Sequence, residues 1–163
     1  MKKIFLIRHA KSSWDEPWLR DHDRPLAPRG LKAAPIMGKR LLKKEIFPDL
    51  IISSTAERAK ETAILVAKEL GMTNQKIVLE SSLYHAPPST YLKVIRQQPE
   101  SIRTLFLVGH NPGMTDLIQN LGVDLDNLPT AGICGFTCLA NTWKEFSKEN
   151  SQLIFIDYPK KST

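Results

Sequence analysis

Short apolar segments alternate with longer amphipathic segments along most of the 163-residue chain. The apolar runs have the length of buried strands, and the segments between them have the apolar spacing of helices. We predict strands at residues 3–7, 49–53, 76–79, 104–109, 133–139 and 153–158, and helices at residues 31–44, 55–70, 89–98 and 112–121. This alternation predicts an α/β fold, a three-layer α/β/α sandwich built on a mainly parallel sheet.

Local signals set the expected ends of two helices. Ser54-Thr55-Ala56-Glu57 fits the S-x-x-E capping box, and Gly71 marks the end of the helix that follows it. Asn111 is a good N-cap and Pro112 suits the first helical position. In the helix predicted at residues 31–44, Pro35 and Gly38 interrupt the pattern.

Length and composition predict one domain over residues 1–163. No apolar run approaches the ~20 residues of a membrane helix. The apolar stretch after Lys3 is too short for a secretory signal, so we expect a cytoplasmic protein that does not bind membranes. Cys134 and Cys138 lie in an apolar stretch without other metal ligands, and we interpret them as reduced thiols packed in the core.

The net charge of +6 raises the question of nucleic-acid binding. The lysines are scattered, however, and the sequence has no zinc-finger spacing, no RNP-like strand and no run of five basic residues. We therefore expect a basic surface that favours anionic ligands, and no nucleic-acid partner.

Charged and imidazole side chains follow three of the apolar strands. Arg8 and His9 follow the first strand, Arg58 lies in the first turn after the second, and His110 and Asn111 follow the strand at residues 104–109. Because the carboxyl ends of parallel strands meet at one edge of a sheet, these side chains should converge there. An Arg-His pair after a single strand is also typical of a salt-bridged edge or a capped turn, but three such strand ends favour a binding site.

The expected ligand of this site is a tetrahedral dianion such as phosphate. Guanidinium groups match phosphate oxygens, and helix N-termini add main-chain donors. The sequence has no P-loop and no obvious carboxylate pair for Mg²⁺, so we expect neither a metal nor a cofactor. A histidine among cations has a lowered pKa, and its neutral ring is able to attack phosphorus and form a covalent phosphoenzyme.

The same segments resemble a known family. Arg8-His9-Ala10-Lys11-Ser12 is similar to the R-H-G/A motif of the histidine phosphatase superfamily, which includes the cofactor-dependent phosphoglycerate mutases. Residues 53–63 resemble its S-S-x-x-x-R-A-x-x-T-A segment, and Gly109-His110-Asn111-Pro112 resembles its G-H segment. Residues 23–26, 29–30 and 83–86, together with the short chain, resemble the SixA-type phosphohistidine phosphatases.

The resemblance implies a phosphoglycerate mutase-like fold and a role for each motif residue. His9 would be the nucleophile that is transiently phosphorylated. Arg8 and Arg58 would clamp the phosphoryl oxygens, and His110 would hydrogen-bond the same group in the transition state.

The sequence departs from the family pattern at the general acid. Many larger members carry a glutamate where this sequence has His85, and Glu80 lies five residues earlier. His85 is a possible proton donor or simply a loop residue beside the site, and Glu80 is a possible acid or an ordinary exposed carboxylate. If the acid is absent, the reaction favours imidazole over an alkoxide as the leaving group.

Other residues near the motifs have open roles. Arg24 either reaches the phosphate or the substrate protein, or belongs to a solvated charged loop. Ser12 either donates to the phosphate or forms a local turn. Trp14 and Trp18 are either an exposed surface for a partner or a cover over the core.

The leading hypothesis is a metal-independent phosphatase that removes the phosphoryl group from phosphohistidine on a partner protein, with phosphate as product. The partner would be a phosphotransfer domain or a phosphocarrier in signal transduction or sugar transport. Only residues 80–88 separate a predicted strand from its next helix, which leaves no insertion to close over a small substrate. The alternative is a small-molecule phosphomonoesterase of the same superfamily.

Overall fold

The computed structural model describes residues 1–161. The strands are β1 (Lys2–Arg8), β2 (Leu50–Ser53), β3 (Ile77–Leu79), β4 (Thr104–Gly109), β5 (Ile133–Cys138) and β6 (Ser151–Asp157). The α-helices are α1 (Pro28–Lys43), α2 (Glu57–Glu69), α3 (Pro88–Arg96) and α4 (Gly113–Asn120). Within the described part of the chain, no helix has both the length and the apolar character that crossing a bilayer requires.

The strands form one sheet in the order β3-β2-β4-β1-β5-β6. The pairs β1–β4, β2–β4 and β2–β3 are parallel, whereas β5 is antiparallel to β1 and β6 is antiparallel to β5. The prediction of an α/β fold with a mainly parallel sheet is therefore confirmed. The carboxyl ends of β1, β2 and β4 lie at the same edge of the sheet.

Helices cover both faces of the sheet because successive side chains of its central strand point to opposite faces. Ile4 and Leu6 are buried in a cluster with residues of α3 and α4. Phe5 and Ile7 are buried in a second cluster with residues of α1 and α2. Cys134 and Cys138 are buried free thiols, as the sequence predicted.

The capping-box prediction at residues 54–57 is wrong. Helix α2 begins at Glu57, and no side chain caps its N-terminus. The Ser54 hydroxyl accepts a hydrogen bond from the Ala56 N–H (3.2 Å) and also contacts Nε2 of His110 (2.8 Å). The side chain that the local pattern assigned to the helix is therefore bonded to His110, the residue that follows the neighbouring strand β4.

The other three helix starts also differ from the prediction, by one to three residues. Helix α4 begins at Gly113 rather than at Pro112, although the Asn111 side-chain oxygen does accept a hydrogen bond from the Thr115 N–H (3.1 Å). Helix α1 begins at Pro28, where proline's missing N–H costs nothing, and continues through the interruptions that the sequence pattern showed.

Tyr91 of α3 fixes the end of β4. Its hydroxyl accepts a hydrogen bond from the His110 N–H (3.0 Å) and donates to the His110 carbonyl (3.3 Å). The ring is fully buried and lies so close to Gly109 that a Cβ there would overlap the hydroxyl and lie 2.9 Å from Cε1. Glycine at position 109 therefore makes room for the residue that holds His110.

We predict that Gly109→Ala lowers the free energy of unfolding by ~1–3 kcal/mol, because the added methyl group displaces Tyr91 from a closely packed position. Urea titration measures the change. Since the overlap is mainly with the Tyr91 hydroxyl, the double variant with Tyr91→Phe should lose less stability than the sum of the two single variants. Strict additivity would contradict this contact.

Candidate active site

Main-chain hydrogen bonds at the carboxyl edge of the sheet bring two histidines together. Arg8 is paired with Gly109 in the β1–β4 ladder, and the His9 N–H donates to the Gly109 carbonyl (3.0 Å). The Ser54 N–H likewise donates a hydrogen bond to a carbonyl of β4, that of Val108 (3.0 Å). The His9 and His110 ring centroids are consequently 5.2 Å apart.

The surroundings of His9 define its tautomer. The residue is only 8% exposed, and its Nδ1 lies 2.7 Å from the Ala10 carbonyl oxygen. A carbonyl only accepts, so Nδ1 carries the proton and Nε2 keeps a free lone pair. Burial lowers the pKa of His9 to about 4; the Ala10 hydrogen bond opposes this shift, and the charges of Arg58, Arg8 and Arg24 add to it. The ring is therefore a neutral nucleophile near pH 7.

Unpaired donors cluster around this nucleophile. Among the described residues, the buried side-chain polar atoms without a hydrogen-bond partner are Nε of Arg8, Nε and Nη1 of Arg24, Nε of Arg58 and Nδ1 of His110. Burying an N–H group without a hydrogen-bond partner costs free energy of folding. The grouping of these atoms therefore indicates a ligand that accepts several hydrogen bonds at once. An anion with several oxygens has this property.

Each arginine is held in place by other contacts. Nη1 of Arg8 donates to the Leu128 carbonyl (3.0 Å). Nη2 of Arg24 donates to the Ser12 hydroxyl (2.6 Å), and its guanidinium carbon lies 3.4 Å from the centroid of the Trp14 ring. Arg24 is buried beside the other candidate phosphate ligands, so it does not belong to a solvated charged loop. The Ser12 hydroxyl accepts a hydrogen bond from Arg24, so Ser12 does not lie in an isolated turn.

His110 presents one ring nitrogen to the site. Its Nε2 lies 2.8 Å from the Ser54 hydroxyl, which accepts from the Ala56 N–H. A hydroxyl also donates, and with the Ser54 proton directed to Nε2 the ring proton of His110 is on Nδ1, which is the unpaired atom. Burial, followed by the interaction with His9 and the charge of Arg58, lowers the pKa of His110 to about 3. His110 is thus a neutral donor.

The sequence reasoning missed Asp21, which lies in the short 3-10 helix of the long loop after β1. Its Oδ2 accepts hydrogen bonds from Arg58 Nη2 (2.9 Å) and the Tyr84 hydroxyl (2.6 Å), and its carbonyl accepts from Arg58 Nη1 (2.7 Å). Its Oδ1 lies 3.5 Å from Arg24 Nε. Burial opposes its ionisation, but the Tyr84 and Arg58 hydrogen bonds prevail and lower its pKa to about 2. Asp21 is therefore a carboxylate within a cationic site.

The two candidate proton donors lie in different surroundings. Nε2 of His85 lies 3.5 Å from Asp21 Oδ2, and its ring centroid is 6.3 Å from that of His110. The Glu80 carboxylate instead accepts from the main chain and hydroxyl of Ser82. The structure thus brings His85, but not Glu80, into contact with site residues. We call Asp21, Tyr84 and His85 the rim of the site.

The side chain of Trp14 extends the site outward. The Trp14 ring covers Arg24 and is 69% exposed, and Trp18 is 76% exposed. Neither tryptophan is a cover over the core. Within residues 1–161, no group of three or more His, Cys, Asp or Glu side chains is arranged to hold a metal ion.

Comparison with known proteins gives the same family as the motifs. The family model described as "Histidine phosphatase superfamily (branch 1)" matches residues 4–84, which include Arg8, His9 and Arg58. The crystal structure of a proposed phosphohistidine phosphatase SixA from Agrobacterium tumefaciens is 30% identical, with a TM-score of 0.82 over 97% of this chain and 98% of that one. The chain belongs to the histidine phosphatase superfamily. Within that superfamily it is of the SixA type.

Two further proteins are similar to this SixA-type chain. The Mycobacterium tuberculosis protein Rv1276c, of uncharacterised function, is 31% identical over 94% of this chain and 100% of its own length. A mycobacterial glucosyl-3-phosphoglycerate phosphatase shares the fold, with a TM-score of 0.69 and 15% identity over 95% of this chain and 98% of that one. The predicted phosphoglycerate mutase-like fold is confirmed.

We predict that acidification destabilises the wild type more than it destabilises His9→Asn. Unfolded His9 binds a proton as the pH falls through 6.5, whereas folded His9 binds one only near pH 4. The free energy of unfolding should therefore fall ~1–3 kcal/mol further in the wild type across this interval. Urea titrations at both ends of the interval measure the difference, in which contributions common to both proteins cancel. An equal fall would contradict the assignment of a neutral His9.

Proposed function

We propose that this phosphatase removes the phosphoryl group from a phosphohistidine side chain of a partner protein, through a phosphohistidine intermediate at His9. The observation that carries the proposal is the grouping of unpaired N–H donors of Arg8, Arg24, Arg58 and His110 beside the buried, neutral His9. Three guanidinium groups supply the positive charge that a phosphoryl dianion requires, so the chemistry is proposed to be metal-independent.

The proposed reaction has two displacements. In the first, Nε2 of His9 attacks phosphorus while Arg8, Arg24, Arg58 and His110 Nδ1 hold the equatorial oxygens, and the substrate imidazole leaves. In the second, water attacks the phosphorylated His9 and releases phosphate. The donors are in place before the reaction begins, which favours the transition state without further reorganisation.

The shape of the site supports a protein substrate. The rim side chains of Asp21 and His85 are 41% and 61% exposed, whereas the nucleophile beneath them is only 8% exposed. The exposed Trp14, whose ring lies against Arg24, offers apolar contact area to a partner. A phosphotransfer domain or a phosphocarrier presents a phosphorylated ring at its surface. A cytoplasmic location and a role in signal transduction are parts of the same proposal.

A small-molecule phosphomonoesterase is the second candidate. It is favoured by the fold shared with the mycobacterial glucosyl-3-phosphoglycerate phosphatase. His85 stands where larger family members have the glutamate acid. In the hydrolysis of a phosphate ester, His85 would therefore have to protonate the departing alkoxide. Faster turnover of sugar phosphates than of a phosphohistidine protein would favour this candidate over ours.

We predict that brief incubation with a ³²P-labelled phosphohistidine protein labels the wild type but not His9→Ala. The trapped label should be acid-labile and base-stable, as a phosphoramidate is, since the P–N bond forms at an imidazole nitrogen. Rapid quenching and gel autoradiography measure the labelling. His22→Ala is the matched control because His22 bonds the Thr55 hydroxyl (2.8 Å) and none of the proposed phosphate ligands. Labelling of His9→Ala would reject the mechanism.

A further inference from the structure

The carboxylate of Asp21 is unexpected in a site built for an anion. It is bonded directly to Arg58, one of the proposed phosphate ligands, and lies 3.5 Å from the guanidinium of Arg24. A negative charge at this position repels phosphoryl oxygens and reduces the positive field available to them. Such a group disfavours substrate binding unless another part of the substrate benefits from it.

The position of Asp21 indicates which part of the substrate that is. In an in-line displacement, the leaving group departs on the side of phosphorus opposite the nucleophile. His9 lies at the buried end of the site, so the leaving group departs through the exposed rim. The Asp21 side chain is 41% exposed and shares the rim with Tyr84 and His85. Its carboxylate therefore faces the leaving group.

A phosphorylated imidazole is the leaving group that a carboxylate assists. When its second ring nitrogen has taken a proton from water, the phosphorylated ring is an imidazolium. Attack by His9 Nε2 then forms one P–N bond and breaks the other, and the bond's electron pair returns to the departing ring. The product is neutral imidazole that still carries its N–H, so no general acid is required. A carboxylate stabilises the positive ring by accepting a hydrogen bond from that N–H.

An alcohol leaving group has the opposite requirement. The departing oxygen gains negative charge, which the Asp21 carboxylate repels, and an ionised carboxylate has no proton to donate. The hydrogen bonds from Tyr84 and Arg58 keep this carboxylate ionised. The same side chain thus assists one class of substrate and hinders the other.

We propose that Asp21 is the specificity-determining residue of the site: it binds the N–H of a protonated, phosphorylated imidazole and selects this substrate over phosphate esters. This inference rests on the proposed function and assigns the preference for phosphohistidine to one named side chain. It also accounts for a site in which the family's glutamate acid is replaced.

Asp21→Asn tests the inference because it removes the charge and keeps the size and one acceptor oxygen. The readout is the ratio of kcat/KM for a phosphohistidine protein to kcat/KM for p-nitrophenyl phosphate, an ester whose leaving group needs no acid. We expect this ratio to fall ~10²-fold, the effect typical of one transition-state hydrogen bond. Asp21→Glu should restore part of it.

Asp23→Asn is the matched control. Asp23 lies in the same 3-10 helix, and its substitution makes the same change of charge. Asp23 is bonded to Arg20 (3.1 Å) rather than to the site, so the ratio of the two kcat/KM values in Asp23→Asn should equal that of the wild type.

The outcomes separate this inference from the proposed function. An unchanged ratio in Asp21→Asn, with both activities lowered equally, would mean that Asp21 only positions Arg58 and would overturn the inference alone. A wild type that hydrolyses the ester but not phosphohistidine would overturn the proposed function and the inference together. A selective loss of phosphohistidine activity in Asp21→Asn, absent from Asp23→Asn, would support both.

Discussion

The parallel pairing of β1 with β4 is the constraint on which the site depends. The register sets Arg8 beside Gly109, and the His9 N–H then bonds the Gly109 carbonyl. On its other side, the His9 carbonyl accepts from the Ala131 N–H (3.0 Å), so the main chain of the nucleophile is held from two directions. A shift of one residue would turn the buried side chains of β1 to the opposite face and separate the two histidines.

This fixed backbone allows the protein to keep three guanidinium groups close together. Arg24 and Arg58 are buried and Arg8 is partly buried, and each has contacts to the protein as well as at least one unpaired N–H. Burial, with a smaller contribution from these charges, lowers the pKa of His9 and keeps the nucleophile neutral, and the arginines are the same groups that we propose as phosphate ligands. Asp21 completes the arrangement, since it bonds Arg58 through Nη2 and leaves the Arg58 Nε unpaired, while it forms an ion pair with Arg24.

The sequence predicted the features that follow from local pattern and strand order. Apolar runs identified the strands, and parallel pairing then required the residues after β1, β2 and β4 to converge, as Arg8, His9, Arg58 and His110 do in the structure. The sequence did not identify Asp21, because it belongs to an irregular loop whose path depends on tertiary contacts.

The prediction of a helix cap at Ser54 was wrong for a related reason. Ser54 matches a capping pattern read over four residues, but its hydroxyl contacts His110, which lies 56 residues away in the sequence. Local reasoning has no access to such a partner. In the same way, sequence spacing gave no means of separating Glu80, which bonds its own turn, from His85, which reaches the rim.

The most direct test of the account is the site of phosphorylation within the His9 ring, measured by NMR on ¹⁵N-histidine-labelled phosphoenzyme. The account predicts that phosphorus is coupled to Nε2, while the proton on Nδ1 remains hydrogen-bonded to the Ala10 carbonyl. Phosphorus bonded to Nδ1, or to any residue other than His9, would contradict it.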